Sequence, residues 1–375
     1  MNNAGYDAPM GDLPKRIGIL TGGGDCPGLN AVLRAVTKDA IFNGIEVVGI
    51  EDGFLGLIEN RTRPLGYQDV SDILTVGGTI LGTSNRADPR RFEVGRDADD
   101  RPVFEDVTAR ALAHATEAGL EALVVVGGDG SLACARAFFE SGLNCIGVPK
   151  TIDNDIYGTD ISFGFLTAVQ VATEALDRVH TTADSHGRVL VVEVMGRNAG
   201  WIALHAGIAG GADVILIPEI PFDIDRVCDK IEQRRRRGKR FTVICVAEGA
   251  RPRGGVQVVR ERDEGSPDPI KLGGIAALVA GLVEERAGVQ ARHVVLGHVQ
   301  RGGTPVASDR VIATQFGDVA IELIKAGEHN RMVALQRGRV THIDIAESAG
   351  RQRTVPPDHP LIAAARSVYT SFADE

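Results

Sequence analysis

Two segments, Leu123-Val124-Val125-Val126 and Val189-Leu190-Val191-Val192, are apolar at every consecutive position. Side chains alternate between the two faces of a strand, so such a run is stable only where both faces are covered. That excludes a sheet with one face in water and points to parallel strands between layers of helix. The rest of the chain agrees, because short β-branched runs alternate with longer amphipathic stretches in the βαβ pattern. Strands are predicted at Arg16–Thr21, Glu46–Ile50, Ala122–Val126, Cys145–Val148, Arg188–Met195, Val214–Ile217, Thr242–Ala247 and His293–Leu296. Helices are predicted at Leu29–Asn43, Thr108–Ala118, Ser131–Ser141, Phe163–Thr182, Ile224–Arg237, Ile275–Ala287 and Arg310–Lys325. The polar stretch Ala250–Lys271, with Gly254, Gly255, Pro267 and Pro269, reads as an exposed insertion. Gln352–Pro360 reads the same way, ahead of a last helix near Leu361–Phe372. The expected fold class is α/β, doubly wound, with two nucleotide-fold-like halves and no evident internal repeat.

Composition matters chiefly through glycine, which supplies 46 of 375 residues, against a background of about 7%. The clusters sit at predicted strand ends: Gly22-Gly23-Gly24, Gly127-Gly128 with Gly130, Gly196 with Gly200, and Gly302-Gly303 shortly after Leu296. In doubly wound folds ligands collect at the carboxyl ends of strands, so this clustering reads as function. The net charge of −9 argues against general nucleic-acid binding. The run Arg234–Arg237 is the local exception and reads as a solvated helix end. The longest clean apolar run, Gly273–Val283, is far short of the roughly 20 residues of a membrane span. The N-terminal segment is polar and acidic without an apolar core, so no signal peptide is read. Five widely spaced cysteines without a CxxC pair suggest reduced thiols and a cytoplasmic protein, with neither a disulfide framework nor a zinc site.

Three motifs carry chemistry. In Gly22-Gly23-Gly24-Asp25-Cys26-Pro27-Gly28, backbone N–H groups at a glycine turn before a helix form an anion site. Pro27 breaks the dinucleotide fingerprint and no GK[ST] ending follows, so alone the pattern equally suits an ordinary tight turn. In Gly127-Gly128-Asp129-Gly130-Ser131, two glycines admit phosphate to the backbone, Asp129 suits a phosphate-bound Mg²⁺, and Ser131 is placed to cap the next helix. In Pro149-Lys150-Thr151-Ile152-Asp153-Asn154-Asp155, an extended loop would turn Asp153 and Asp155 to one side. One carboxylate can then take a proton from a hydroxyl while the other organises metal and charge. A plain acidic turn is the blander reading, outweighed by the neighbouring glycine–aspartate cluster.

The second motif resembles the nucleotide loop of phosphofructokinases, NAD kinases and diacylglycerol kinases, and the third separates them. From about Arg16 to Lys325 the sequence resembles the 6-phosphofructokinase family. The resemblance is also carried by Ser185-His186-Gly187-Arg188, Met195-Gly196-Arg197, Glu248, Arg292 and Gly297-His298-Val299-Gln300-Arg301-Gly302-Gly303. It implies two Rossmann-like α/β domains with mainly parallel sheets and the active site in the cleft between them. Residues 1–164 with 300–350 would hold the phosphoryl donor, and 165–299 with 351–375 the sugar phosphate. It further implies phosphorylation of fructose 6-phosphate at its 1-hydroxyl, giving fructose 1,6-bisphosphate, with Mg²⁺. Gly24, Gly128, Asp129, Gly130 and Ser131 would cradle the donor phosphates, with Asp129 on the metal, and Arg86 would reach the donor. Asp153 would be the general base, assisted by Thr151 and Asp155. Met195, Gly196 and Arg197 would line the acceptor site, and Arg197 would also offset phosphoryl charge. Glu248 would accept from sugar hydroxyls. His298 and Arg301 would bind the 6-phosphate with Arg188 and Arg292, the last two from a neighbouring subunit of a homo-oligomer, expected to be a tetramer.

The family divides by donor. Pyrophosphate users typically carry Asp at the position of Gly130 and Lys at that of Lys150, whereas ATP users carry Gly at both. This chain mixes the two. An aspartate at 130 would occupy the space of a nucleotide α-phosphate, and exclusion constrains more firmly than one flexible cation. ATP is therefore the expected donor, with pyrophosphate the alternative. At the positions of the family's effector pocket, Arg34 and Arg61 match, Lys38 and His180 replace arginines, Asp213 replaces a glutamate, and Gly238-Lys239-Arg240 aligns loosely. Shorter or titratable cations weaken phosphate capture. A non-catalytic relative would lack Asp129 or Asp153, a Rossmann dehydrogenase would keep its fingerprint, and an NAD or lipid kinase would lack Thr151–Asp155.

Overall fold

The computed structural model describes residues 13–262 and 270–375. Most of the N-terminal segment behind the targeting expectation, and Pro267 and Pro269, lie outside the described residues.

Alternation of side chains explains the architecture. Along Ala122–Gly127, Val124 and Val126 enter one apolar cluster with the helices Leu29–Phe42 and Ala307–Lys325, while Leu123 and Val125 enter another with Asp129–Glu140. Along Val189–Val194, Leu190, Val192 and Val194 join the first cluster, and Val189 and Val191 join a third with Ile224–Arg236 and Ile275–Ala287. Both consecutive apolar runs are therefore covered on both faces, and one cluster is shared between the two sheets.

The larger sheet has the spatial order Arg339–Asp344, Arg331–Gln336, Asn144–Thr151, Ala122–Gly127, Arg16–Thr21, Glu46–Ile50, Thr62–Pro64. Its interior pairs are parallel and its two outermost pairs antiparallel. The smaller sheet is all parallel, in the order Val214–Leu216, Thr242–Ala247, Val189–Val194, Ala291–Val295. The molecule is thus α/β with mainly parallel sheets. Among the described residues no helix is long and apolar enough to cross a membrane. All five cysteines are free thiols.

Several expectations are corrected. The strand predicted to end at Val148 continues to Thr151, because Pro149 stays in register opposite Gly127 and Lys150 pairs with Phe163. Arg331–Gln336 and Arg339–Asp344 form a hairpin at the sheet's edge absent from the sequence reading, although Met332, Val333 and Ala334 are fully buried in its inner strand. The insertion Ala250–Lys271 is not all irregular, since Val259–Arg262 pairs antiparallel with Ile270–Leu272. Ser131 does not cap its helix: Gly128 occupies the cap position and the helix runs Asp129–Glu140. Nor is the arginine run wholly solvated. Arg234 turns inward, 2.5 Å from Asp213, with both side chains largely buried.

Candidate active site

Register brings three strand ends together. Thr21 pairs with Val126 and Gly127 with Pro149, so the turns after Arg16–Thr21 and Ala122–Gly127 and the loop after Asn144–Thr151 lie side by side. The first two glycine turns interlock around Ser131, which is buried; a methyl group on Gly22 or Gly127 would collide with its side chain. Gly22 N donates to Val126 O at 2.9 Å. The segment Thr83–Arg86 is held against the same turn, with Gly23 N donating to Ser84 O at 3.2 Å and Thr83 Oγ1 donating to Gly23 O at 2.5 Å. Arg86 is exposed beside it.

Lys150, only 4% exposed, reaches back to donate to the Gly24 carbonyl. Burial holds its pKa below the usual lysine range. Arg301 arrives from the 3₁₀ turn Gly297–Arg301, donates to Asp25 O at 3.1 Å, and fills the space a side chain on Gly24 would need. Two cations thus converge on one glycine turn. Gly128 and Asp129 are half-buried at the start of their helix, and Gly130 is exposed with open space where its Cβ would be.

The aspartate loop departs from the extended geometry expected. Asn154 has φ 53°, which breaks the alternation that was to align Asp153 with Asp155. Asparagine tolerates this left-handed conformation because its short polar side chain bonds locally. Here Asn154 Oδ1 accepts Ser162 N at 2.9 Å and Nδ2 donates to Asp160 O at 3.3 Å. Asp153 N donates to Thr151 Oγ1 at 3.1 Å, and Ser162 Oγ donates to Thr151 O at 2.8 Å. The carboxylates still act on each other. Burial pushes Asp155 up to about 7, reinforced by Asp153, and burial raises Asp153 against the pull of Arg301, Lys150 and Arg197. Asp153 Oδ1 is buried and has no hydrogen-bond partner among the described residues.

The smaller sheet supplies the facing wall. Met195-Gly196-Arg197 follows Val189–Val194, turning at Gly196 with φ 128°. Glu248 follows the paired strand Thr242–Ala247, its N–H on Val194 O at 2.9 Å. Burial lifts Glu248 to about 7, with Asp153 and Glu193 adding to the shift. Burial lowers Arg197, opposed by Glu248 and Asp153. These interactions place residues of both sheets in one electrostatic neighbourhood: Asp129, Lys150, Asp153, Asp155, Arg197, Glu248 and Arg301.

Other candidates lie apart. Arg188 precedes Val189–Val194 and Arg292 is the second residue of Ala291–Val295, the parallel strand beside it. Met195 follows the opposite end of a six-residue strand, about 20 Å away at 3.3 Å per residue. Arg188 Nε donates to Gln290 Oε1 at 2.9 Å, and Arg292 pairs with Glu284 at 2.9 Å. His298 is exposed on its 3₁₀ turn. Residues of the effector-pocket pattern have partners within the chain: Arg61 on Asp52, Lys38 over the Tyr67 ring, His180 on Gly210 O and Asp213 on Arg234. The sequence reading missed Gln300, fully buried, whose Oε1 accepts Met195 N at 3.4 Å, and Glu219, which accepts Gly200 N at 3.0 Å. Neither stands out from the sequence, because each acts through a distant backbone group.

The family model described as Phosphofructokinase matches residues 16–324. An ATP-dependent 6-phosphofructokinase 2 of Clostridium perfringens is 50% identical over 365 residues, 96% of this chain and 99% of that protein. A pyrophosphate–fructose 6-phosphate 1-phosphotransferase of Amycolatopsis methanolica is 48% identical over 345 residues, 92% of this chain and 97% of that protein. Among solved structures, phosphofructokinase from Saccharomyces cerevisiae matches with a TM-score of 0.75 at 33% identity. That match covers 89% of this chain, which spans only 45% of the yeast chain.

Proposed function

The chain belongs to the phosphofructokinase family, and on that premise we propose that it transfers the terminal phosphoryl group of ATP to the 1-hydroxyl of fructose 6-phosphate, giving fructose 1,6-bisphosphate and ADP. One observation carries this reading: a buried, unpartnered carboxylate oxygen on Asp153, set among Lys150, Arg197 and Arg301 where the strand ends of two sheets meet.

Asp153 takes the proton as the 1-hydroxyl attacks the phosphorus, and the bond to the ADP oxygen breaks. Its oxygen has no hydrogen bond to lose on accepting that proton. Thr151 fixes the loop through the Asp153 N–H, and Asp155 sets the charge beside it. Arg197 offsets charge on the phosphoryl group, while Met195 and Gly196 shape the acceptor pocket and Glu248 accepts from sugar hydroxyls. The turns at Gly24 and Gly128–Ser131 hold the donor phosphates, with Arg86 alongside. Phosphoryl transfer asks the protein chiefly for this positioning and electrostatics.

Mg²⁺ fits the carboxylates present. Asp129, half-buried at the first residue of its helix beside the Gly127–Gly128 turn, offers one carboxylate, and this ion is usually held by one or two carboxylates with waters and substrate phosphates. Asp129 would hold it, and the ion would neutralise charge on the donor phosphates.

Arg301 and His298 bind the sugar 6-phosphate. Arg188 and Arg292, too far from Met195 along their strands to complete the same chain's pocket, complete that of a neighbouring subunit in a homotetramer. The residues before 165 with 300–350 make up the donor domain and the remainder the sugar domain. The enzyme works in the cytoplasm.

The donor test is direct: fructose 6-phosphate with Mg-ATP or with Mg-pyrophosphate, measuring fructose 1,6-bisphosphate. Turnover with ATP is expected, and turnover with pyrophosphate alone would overturn the donor assignment. Lysine rather than glycine at position 150 is what favours the pyrophosphate reading; the open space at Gly130 favours ATP.

The raised carboxylates also fix a pH dependence. Asp155 and Glu248 sit at about 7 and Asp153 is shifted upward, all mainly by burial. Each works ionised, and a carboxylate with a raised pKa protonates as pH falls through that value. The acidic limb of kcat/KM for fructose 6-phosphate is therefore expected near neutrality. A limb near pH 4 in a kcat/KM–pH profile would contradict the buried setting of these groups.

A further inference from the structure

The segment Gln352–Pro360, expected to be an exposed polar stretch, is exposed at most positions, and its first residues, with Gly350 and Arg351 ahead of them, form a strap across the proposed site. Gly350 N donates to Asp129 Oδ1 at 2.6 Å. The Arg351 guanidinium lies over the Tyr157 ring, 3.6 Å from its centroid, and Gln352 bridges to Ile156. Arg353 N donates to Asp155 O at 2.8 Å and Arg353 Nη1 donates to Asn154 O at 3.1 Å. Two residues on, Val355 N donates to Glu219 Oε1 at 2.8 Å, and the same carboxylate accepts Gly200 N. Within six residues the chain touches the donor turn, the aspartate loop and the start of the helix Trp201–Ala209.

Arg353 is the residue through which these contacts converge. Its backbone N–H and its guanidinium hold successive carbonyls of the loop, those of Asp155 and Asn154. Its guanidinium also stacks on the Trp201 ring, 4.0 Å from the centroid, and its carbonyl accepts Trp201 Nε1–H at 2.9 Å. Trp201 is 2% exposed and is held edge-on by His359. The arginine is therefore clamped to a rigid aromatic in the sugar-side half while it grips the aspartate loop of the donor-side half. Asn154 is the residue with the left-handed backbone, and the carbonyl Arg353 holds is Asn154's own.

We propose that Arg353 is a positioning residue: by fixing the Asn154 carbonyl against Trp201 it sets the orientation of Asp153 and Asp155 for phosphoryl transfer, and it locks the loop of one sheet to the pocket of the other. It touches no reacting atom. The inference rests on the function proposed above for Asp153. A displacement of about 1 Å in a reacting group can cost on the order of a hundredfold in rate, and one lost grip on a loop with other anchors should cost less.

The experiment compares Arg353→Met, which keeps the length and apolar stem, and Arg353→Lys, which keeps a donor and the charge, with the parent enzyme. For Arg353→Met, kcat is expected to fall about 10- to 30-fold with KM for fructose 6-phosphate within about twofold, the pattern of lost orientation rather than lost binding. Arg353→Lys should recover most of that loss. Hydrogen exchange at the Asp153 and Ser162 amides, which bond within the loop, should quicken in Arg353→Met and return towards the parent rate in Arg353→Lys. Unchanged amide exchange together with unchanged kcat in Arg353→Met would overturn the proposal, as would equal loss in Met and Lys variants with a lowered melting temperature. The exchange measurement needs no substrate. If the parent enzyme turns over neither donor, the functional reading fails while exchange still decides whether Arg353 orders the loop.

Discussion

Asp153→Asn is expected to lower kcat with Mg-ATP and fructose 6-phosphate about a thousandfold, within the range that loss of a positioned general base produces, while KM for the sugar phosphate changes little. Steady-state assays of the variant against the parent check it, and more than a tenth of parental kcat remaining would remove Asp153 from the role of base. The substitution is nearly isosteric, so folding should survive it. Its effect on stability has a definite sign. Burial raises the Asp153 pKa in the folded protein, so between the ordinary carboxylate value and the raised one the folded state binds more protons than the unfolded state. Stability of the parent then falls as pH rises through that window. The asparagine variant escapes this loss: its melting temperature should match the parent's below about pH 4 and equal or exceed it at pH 8. A thousandfold loss of activity without loss of stability distinguishes a removed base from a damaged fold.

Gly130→Asp is expected to raise KM for Mg-ATP and to lower kcat/KM for it by at least about a hundredfold, equivalent to about 2.7 kcal/mol, while pyrophosphate is spared. A Cβ at Gly130 meets nothing within 4 Å and the residue is exposed, so the protein itself has room for the side chain. An acidic residue in the first helical turn also suits the helix dipole. The penalty must therefore come from the ligand, as a carboxylate placed in the space and charge of a nucleotide α-phosphate. Parallel kinetics with Mg-ATP and Mg-pyrophosphate measure it; unchanged ATP kinetics would show that this position does not sort donors. Lys150 is a weaker lever in either direction, because its ammonium is already committed to the Gly24 carbonyl.

How far the sequence reaches can be judged residue by residue. Leu123–Val126 and Val189–Val192 were legible as doubly covered strands because consecutive apolar positions have one structural meaning, and the clusters they enter lie on opposite faces. The glycine turns were legible because close backbone approach leaves a mark in composition, as Gly22 and Gly127 around Ser131 illustrate. The aspartate loop was legible in its residues but not in its shape. An extended segment was expected, whereas Asn154 is left-handed and Asp153 and Asp155 influence each other across that bend. The edge strand Arg339–Asp344, with polar residues on half-exposed positions, carried no comparable signal, and without that partner the short run Met332–Leu335 of the strand beside it passed unread.

Local chemistry thus determined the fold class, the two faces of each central strand and the residue types of the site, because these depend on side-chain periodicity and on what backbone a given residue permits. Tertiary structure alone decided which of those residues meet. Arg301 reaches the Gly24 turn across 277 positions of chain separation counted from that glycine, and Arg188 and Met195, seven positions apart, are held at opposite ends of one strand. The strap shows the same limit most clearly: at one end of each of its bonds stands a backbone group that every residue possesses, the Gly350 N–H on Asp129, the Asn154 carbonyl under the Arg353 guanidinium and the Asp155 carbonyl under the Arg353 N–H. A contact made by a carbonyl or an N–H leaves no trace in residue identity, so only the folded chain reveals it.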